Sequence, residues 1–302
     1  MTTIEHVAAV AAPGVRRADP LRTVLKFIKA QPLGAIGLGI ILVLAALAAV
    51  AEWVTSYDPE AIDFAAMLAP PSLSHPLGTD SFGRDILTRI IYGARTALVI
   101  GFLSALIGTT VGAFIGIVSA YRGGLVDLLL QRVIDIVLSF PIIVLALVVV
   151  AVAGRTPILG VDLNLVLAIA IPVIPRACRV MRAAALSVCA MPYIESARSV
   201  GCSSTRIVLR YVAPNVLAPY LILFTAYVAQ AILIEASLSF LGLGVTEPKP
   251  AWGLMLAGDN SNFYQEAPWM IFFPGLAIAL SVFAFNMFGD ALRDWLDPKI
   301  KN

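Results

Sequence analysis

The chain has 302 residues, of which 60% are hydrophobic and only 13% charged, with a mean hydropathy of +0.91. A water-soluble domain carries about 25% charged residues, so this composition excludes a free globule and points to an integral membrane protein. The formal charge of +2, from 21 Lys and Arg against 19 Asp and Glu, excludes the basic excess of a nucleic-acid-binding protein.

In chain order, residues 1–20 form an Ala- and Val-rich tail. Leu21, Val24, Leu25 and Ile28 then share one face at helical spacing, with Arg22, Lys26 and Lys29 opposite, which predicts a helix lying on a membrane surface. Residues 1–32 are accordingly read as a cytoplasmic tail and amphipathic helix. The first uncharged run, residues 33–51, is 19 residues long behind a polar leader too long for a signal peptide, and reads as a retained membrane anchor.

Before the second run, Thr79 or Asp80 is predicted to cap a helix, with Asp80 and Arg84, and Asp85 and Arg89, at i,i+4 spacing. Residues 96–121 form the second span. Gly101, Gly108, Gly112 and Gly116 recur along it at helical spacing, which predicts close helix packing. The third span is expected at 136–154. A fourth, 163–175, has only 13 residues between Asp162 and Arg176, and reaches the interface if Arg176, Arg179 and Arg182 snorkel. The fifth and sixth are expected at 211–234 and 267–289. The whole reads as an all-α protein with a six-span domain over residues 33–291, and residues 292–302 as a cytoplasmic tail.

With six spans the termini share a side. The N-terminal segment, the loops after the second and fourth spans and the C-terminus hold 16 of the 21 basic residues, so the positive-inside rule makes both termini cytoplasmic. Arg84, Arg89 and Arg95 on the other face dilute that signal.

Much chemistry is missing. None of the five lysines follows a glycine, so the chain has no phosphate-binding loop. His6 and His75 lie beside no Ser or Cys nucleophile, and Cys178, Cys189 and Cys202 show no metal-ligand or disulfide spacing. Ion-coupled carriers keep ionisable residues within their spans. Here such residues cluster at the span ends, Glu235 and Asp290 being the nearest, which disfavours a stand-alone carrier. The expectation is a non-enzymatic subunit, with no cofactor or metal of its own.

The largest cytoplasmic feature, residues 186–214, reads as helix, glycine turn, helix. Pro192 opens the first helix with Glu195 in its first turn, and Gly201 supplies a left-handed stop. Ser203 or Ser204 caps a second helix carrying Arg206 and Arg210, expected to end before Pro214. Glu195-Ser196-Ala197, three residues, Gly201, nine residues and Tyr211-Val212-Ala213-Pro214 resemble the Glu-Ala-Ala loop of ABC importer permeases. Ser196 stands for the family's alanine, and Tyr211 and Ala213 for its Ile and Leu. His75 to Asp80, Gly83-Arg84-Asp85, Gly93-Ala94-Arg95, Glu235 to Gly244, Pro250-Ala251-Trp252-Gly253, and Asn286 through Asp294 with Asp297-Pro298 resemble the C-type subunit of dipeptide, oligopeptide and nickel permeases.

The resemblance covers residues 33–299. It implies a type I ABC importer permease fold in the inner membrane of a bacterium. The implied partners are a homologous B-type permease, two cytoplasmic ATPase subunits or domains that use ATP and Mg, and an extracytoplasmic solute-binding protein. The implied cargo is a peptide, with nickel chelates or another small solute as the alternative. Glu195, Ser196, Ala197, Gly201, Arg206 and Pro214 become the coupling residues, and Asp80, Arg84 and Asp85 candidates for docking the binding protein. Glu235 is taken to end the fifth span, and the short apolar stretch after it is expected to fold back over residues 235–253 as an outer lid, with Glu235, Ser237, Ser239, Phe240 and Trp252 as its candidates. The competing account makes that stretch an interfacial loop with Trp252 and Trp269 as belt anchors.

Overall fold

A computed structural model describes residues 26–154, 157–158, 161–258, 263 and 265–296. The amphipathic face at Leu21, Val24 and Leu25, the tail before it and Asp297-Pro298 lie outside the described residues. Residues 26–30 are helical.

Helix α1, Pro32–Ala49, opens with proline at a first-turn position, where a missing N–H costs nothing. Gly34 and Gly37 bring it against the last helix, a Cβ on Gly37 falling 2.6 Å from the Ala284 carbonyl. Helix α2, Ile86–Arg122, is the longest at 37 residues and starts ten residues before the expected span. Its cap is Asp85, whose carboxylate accepts from Thr88 N–H at 2.8 Å, and not Thr79 or Asp80.

The third expected span is broken. Residues 136–138 end α3, Gly124–Leu138, and the chain turns through Ser139 and Phe140 into α4, Ile142–Ala153, at 90°. Pro141 explains the break, since its ring disfavours α geometry at Phe140 and it has no N–H to give Val137. Two two-residue strands, β1 (Pro157–Ile158) and β2 (Val161–Asp162), pair antiparallel and lead into α5, Leu163–Cys189. This helix contains the short fourth run and continues, as the snorkelling argument requires, through Arg176, Arg179 and Arg182. Pro172 and Pro175 sit inside it, which bundle helices tolerate when neighbours cover the backbone.

The segment over residues 186–214, the candidate coupling loop, holds α6, Pro192–Ser199, and α7, Ser204–Ile207. The second helix does not end before Pro214. It widens into a π turn, Val208–Val212, followed by a helical turn at Ala213–Asn215 containing Pro214. A widened turn is the local remedy when a proline withholds a hydrogen bond. The fifth span therefore starts later than expected, as α8, Leu217–Phe240, and Glu235 lies within it. The expected lid shrinks to residues 241–251, followed by a single turn α9, Trp252–Met255. The last helix, α10, Trp269–Leu296, carries the sixth span and runs five residues into the stretch read as a tail.

The bundle is α2, α5, α8 and α10 with α1 on its flank, and five helices plus the bent α3–α4 pair are apolar enough to cross a membrane. The glycine stripe on α2 does what its spacing predicts. A Cβ on Gly112 would sit 2.6 Å from the Ile174 carbonyl, and one on Gly116 2.5 Å from the Cys178 carbonyl, so α2 meets the backbone of α5 directly. Polar charge holds α3 alongside, where Asp127 accepts from Arg182 at 2.6 and 2.5 Å and Asp135 pairs with Arg179.

Candidate functional site

Two regions lie near opposite ends of α2. At its C-terminal end, α6 is set on the bundle by Ile194, which is fully buried, and Ala197, in a cluster with Ala113, Ala120, Met181, Ala185, Ile207 and Val212. Gly201 stops the helix at φ +82°. Cys202 N–H donates to Ala197 O at 3.0 Å and Gly201 N–H to Arg198 O at 2.9 Å, a Schellman closure that satisfies carbonyls otherwise left open. Arg198 lies over the Tyr121 ring in a cation–π contact, its guanidinium carbon 5.0 Å from the centroid. Ser203 caps α7, accepting from Arg206 N–H at 3.4 Å. Glu195, Ser196, Gly201, Arg206 and Pro214 are exposed, and only Ala197 of the candidate coupling residues turns inward. Val200 is 84% and Leu209 67% exposed, so this surface offers apolar contacts as well as charge.

At the N-terminal end of α2, Asp80, Arg84 and Asp85 are each about 95% covered within this chain, which does not suit them as an exposed docking edge. Asp80 accepts from Arg84 Nε at 2.6 Å and from the backbone N–H of Phe82 and Arg84, closing a tight turn. Asp85 meets His75 Nδ1 at 3.0 Å, so the expected Asp85–Arg89 pair is replaced by a different one. Arg89 is 1% exposed and reaches Pro59 O at 2.8 Å and Pro248 O at 3.3 Å. Glu247, absent from the sequence expectations, completes the group: its carboxylate lies 2.7 Å from Arg84 Nη1 and 3.6 Å from Arg89 Nη2. Burial opposes the charge on Arg84, but hydrogen bonding to Glu247 and the field of Asp80 outweigh it and raise its pKa. Glu247 and Arg84 are 163 residues apart, and no short-range spacing rule could have joined them.

The lid candidates divide between two faces of α8. Glu235 and Ser239 are fully buried, with Ser239 Oγ donating to Glu235 Oε1 at 2.7 Å and receiving Val245 N–H at 3.1 Å. A buried ionisable residue thus does lie within a span, contrary to the sequence expectation. Trp252 is also fully buried, its indole N–H on Ile90 O at 2.9 Å, and is no belt anchor. Ser237 and Phe240 face the other way, into an apolar groove of about 690 Å³ between α8 and α10 that also touches Ile143, Leu241, Leu256 and Asn286.

Comparisons with known proteins complete the picture. Residues 108–302 match the family model described as binding-protein-dependent transport system inner membrane component, and residues 19–71 that of the N-terminal TM domain of oligopeptide transport permease C. The dipeptide transport system permease protein DppC of Alkalihalophilus pseudofirmus is 41% identical over 284 residues, covering 94% of this chain and 91% of the relative. The glutathione transport system permease protein GsiD of Pectobacterium atrosepticum is 40% identical over 278 residues, covering 92% and 90%. A chain of the MetNI methionine ABC transporter, solved in inward-facing conformations, superposes with a TM-score of 0.54 at 16% identity, covering 70% of this chain and 98% of that one. At that identity the likeness speaks for the fold.

Proposed function

The chain belongs to the binding-protein-dependent transport system inner membrane component family, and on that premise we propose that it is the C-type permease subunit of an ATP-driven peptide importer. It supplies part of the translocation pathway and leaves ATP hydrolysis, with its Mg, to two cytoplasmic ATPase subunits or domains. A B-type permease and an extracytoplasmic binding protein complete the assembly, with both termini on the cytoplasmic side of the inner membrane. The observation that carries the coupling role is α6: a short helix anchored by Ile194 and Ala197, closed at Gly201, and leaving Glu195 and Val200 exposed. Such a rigid element can pass a rigid-body displacement to α2 and α5 without chemistry of its own. The dipeptide and glutathione names of its relatives favour short peptides as cargo over nickel chelates.

Uptake of labelled di- and tripeptides by the complete transporter in proteoliposomes tests this reading. Uptake should require internal ATP and stop with vanadate. Uptake by the permease without ATPase partners would support an ion-coupled carrier instead. Gly201→Leu gives a sharper arm, because a Cβ at Gly201 meets nothing within 4 Å in this chain. The left-handed backbone there costs a side chain about 1–2 kcal/mol, too little to block insertion of the bundle. Peptide uptake should therefore collapse while the amount of inserted permease stays at the wild-type level; unimpaired uptake would remove α6 from the coupling path.

A further inference from the structure

The Arg84–Arg89 pair is a more elaborate arrangement than a surface charge pair needs. Arg84 and Arg89 are 5% and 1% exposed, and both are fixed by groups other than Glu247: Arg84 by Asp80, Arg89 by the carbonyls of Pro59 and Pro248. Arg89 keeps Nε and Nη2 without a hydrogen-bond partner, although Asp80 and Glu247 lie 3.8 and 3.6 Å away. Guanidinium forks of this kind match a carboxylate bidentately. Arg84 does so here, with Nη1 and Nη2 at 2.7 and 3.4 Å from the two oxygens of Glu247.

The occupant is the least fixed member of the group. The Glu247 side chain is 47% exposed, on a segment with neither helix nor strand, while the guanidiniums beneath it are buried. That segment leaves α8 at Leu241 and returns through α9 to Leu256, and both residues line the apolar groove beside α8. Asp80 and Glu247 together balance the two guanidiniums, both carboxylates bonding Arg84 and lying 3.8 and 3.6 Å from Arg89, with Glu60 as a further negative charge acting on Arg89. Lifting Glu247 therefore uncovers desolvated donors whose natural guest is another carboxylate.

We propose that Arg84 and Arg89 form a carboxylate seat beneath the loop whose two ends line this groove, held in the present state by Glu247 and taken over by the C-terminal carboxylate of a peptide during passage. The proposal rests on the peptide-importer reading and adds to it a contact on the membrane subunit itself. A tethered competitor lowers the apparent affinity of any guest by the fraction of time it occupies the seat. Removing its charge should therefore strengthen binding of free peptide acids and of nothing else.

The test uses the complete membrane complex in nanodiscs without any extracytoplasmic binding protein, and measures equilibrium binding of labelled trialanine and of its C-terminal amide. Glu247→Gln should bind the acid at least threefold more tightly than wild type and leave the amide unchanged, and Arg84→Met should erase the preference for the acid. Equal effects on acid and amide, or no change in Glu247→Gln, would overturn the seat. Glu247 is half exposed and its substitution leaves the buried arginines in place, so this variant decides the matter even if Arg84→Met fails to assemble. Uptake of trialanine by the same complex with its binding protein separates the two readings. No uptake strikes the peptide reading, whereas uptake without an effect of Glu247→Gln on acid binding strikes the seat alone.

Discussion

Gly112 sits where a methyl group has no room, because its Cβ would lie 2.6 Å from the Ile174 carbonyl and 2.7 Å from Ala177 Cβ. Backbone cannot yield as a side-chain tip can, so Gly112→Ala must push α2 away from α5. Overpacking of this kind costs about 1–3 kcal/mol. Gly39 in α1 meets nothing within 4 Å, and Gly39→Ala should be neutral or stabilising by up to about 1 kcal/mol. Thermal unfolding in one detergent compares the two, and equal midpoints would refute the packing account of the glycine stripe. Charge at single residues divides in the same way. Asp80→Asn leaves buried Arg84 without the carboxylate 2.6 Å from its Nε, and losing one partner of a buried pair costs about 3–5 kcal/mol. The exposed Arg95–Glu52 pair, 56% and 70% accessible, should yield less than about 1 kcal/mol in Arg95→Ala. The same unfolding assay checks both, and a small loss in Asp80→Asn would mean that water relieves the buried arginines.

Among the elements, α3 depends on charge for its position. Most of its large apolar residues, Leu125, Leu128, Leu129, Val133 and Ile136, are exposed, and its polar side is held to α5 by Asp127–Arg182 and Asp135–Arg179. Ser119 also donates to Asp127 at 2.5 Å, and Gln131 donates to Ser119 at 2.9 Å. Asp127→Asn should loosen α3, read as faster amide exchange over residues 124–138 with α5 unchanged, and the exchange Asp127→Arg with Arg182→Asp should restore part of the protection. Undiminished protection in Asp127→Asn would show that apolar neighbours hold the helix instead. The long helices are legible in the sequence because uncharged runs near 20 residues leave few alternatives in a bilayer, and α6 because Pro192, Glu195 and Gly201 each mark a helix end. The bend at Pro141 was hidden inside one apolar run, since hydropathy does not register a missing N–H. The π turn before Pro214 is hidden because a proline marks a helix end in the sequence whether the helix stops or only widens, and the extension of α8 past Glu235 because a charge marks the end of a span, whereas the bundle encloses Glu235 and Ser239 hydrogen-bonds it.

Over the whole molecule, α2 connects the two regions. Its 37 residues reach about 55 Å at 1.5 Å per residue, well beyond a hydrocarbon core of about 30 Å, so Arg89 near one end and Tyr121 under Arg198 near the other stand on opposite sides of a bilayer. The same geometry accounts for the arginines that dilute the charge asymmetry of the sequence. Arg84 and Arg89 are buried and face Asp80 and Glu247, so they are not free charges at the membrane surface. Discounting them leaves three basic residues on that side against 16 on the side of α6, a contrast that favours placing α6 in the cytoplasm. Single cysteines at Leu73 and Val200, 105% and 84% exposed, in a chain with Cys178, Cys189 and Cys202 replaced, test that assignment. A membrane-impermeant maleimide should label Leu73→Cys in intact spheroplasts and Val200→Cys only in inverted vesicles, and an ATPase seated on α6 should slow the second reaction. The reverse pattern would invert the topology, and labelling of both from one side would contradict the separation imposed by α2. Because Val200 lies one residue before Gly201, slowing by the ATPase at this position also bears on the collapse of uptake expected for Gly201→Leu: both follow if α6 is the surface on which the motor acts.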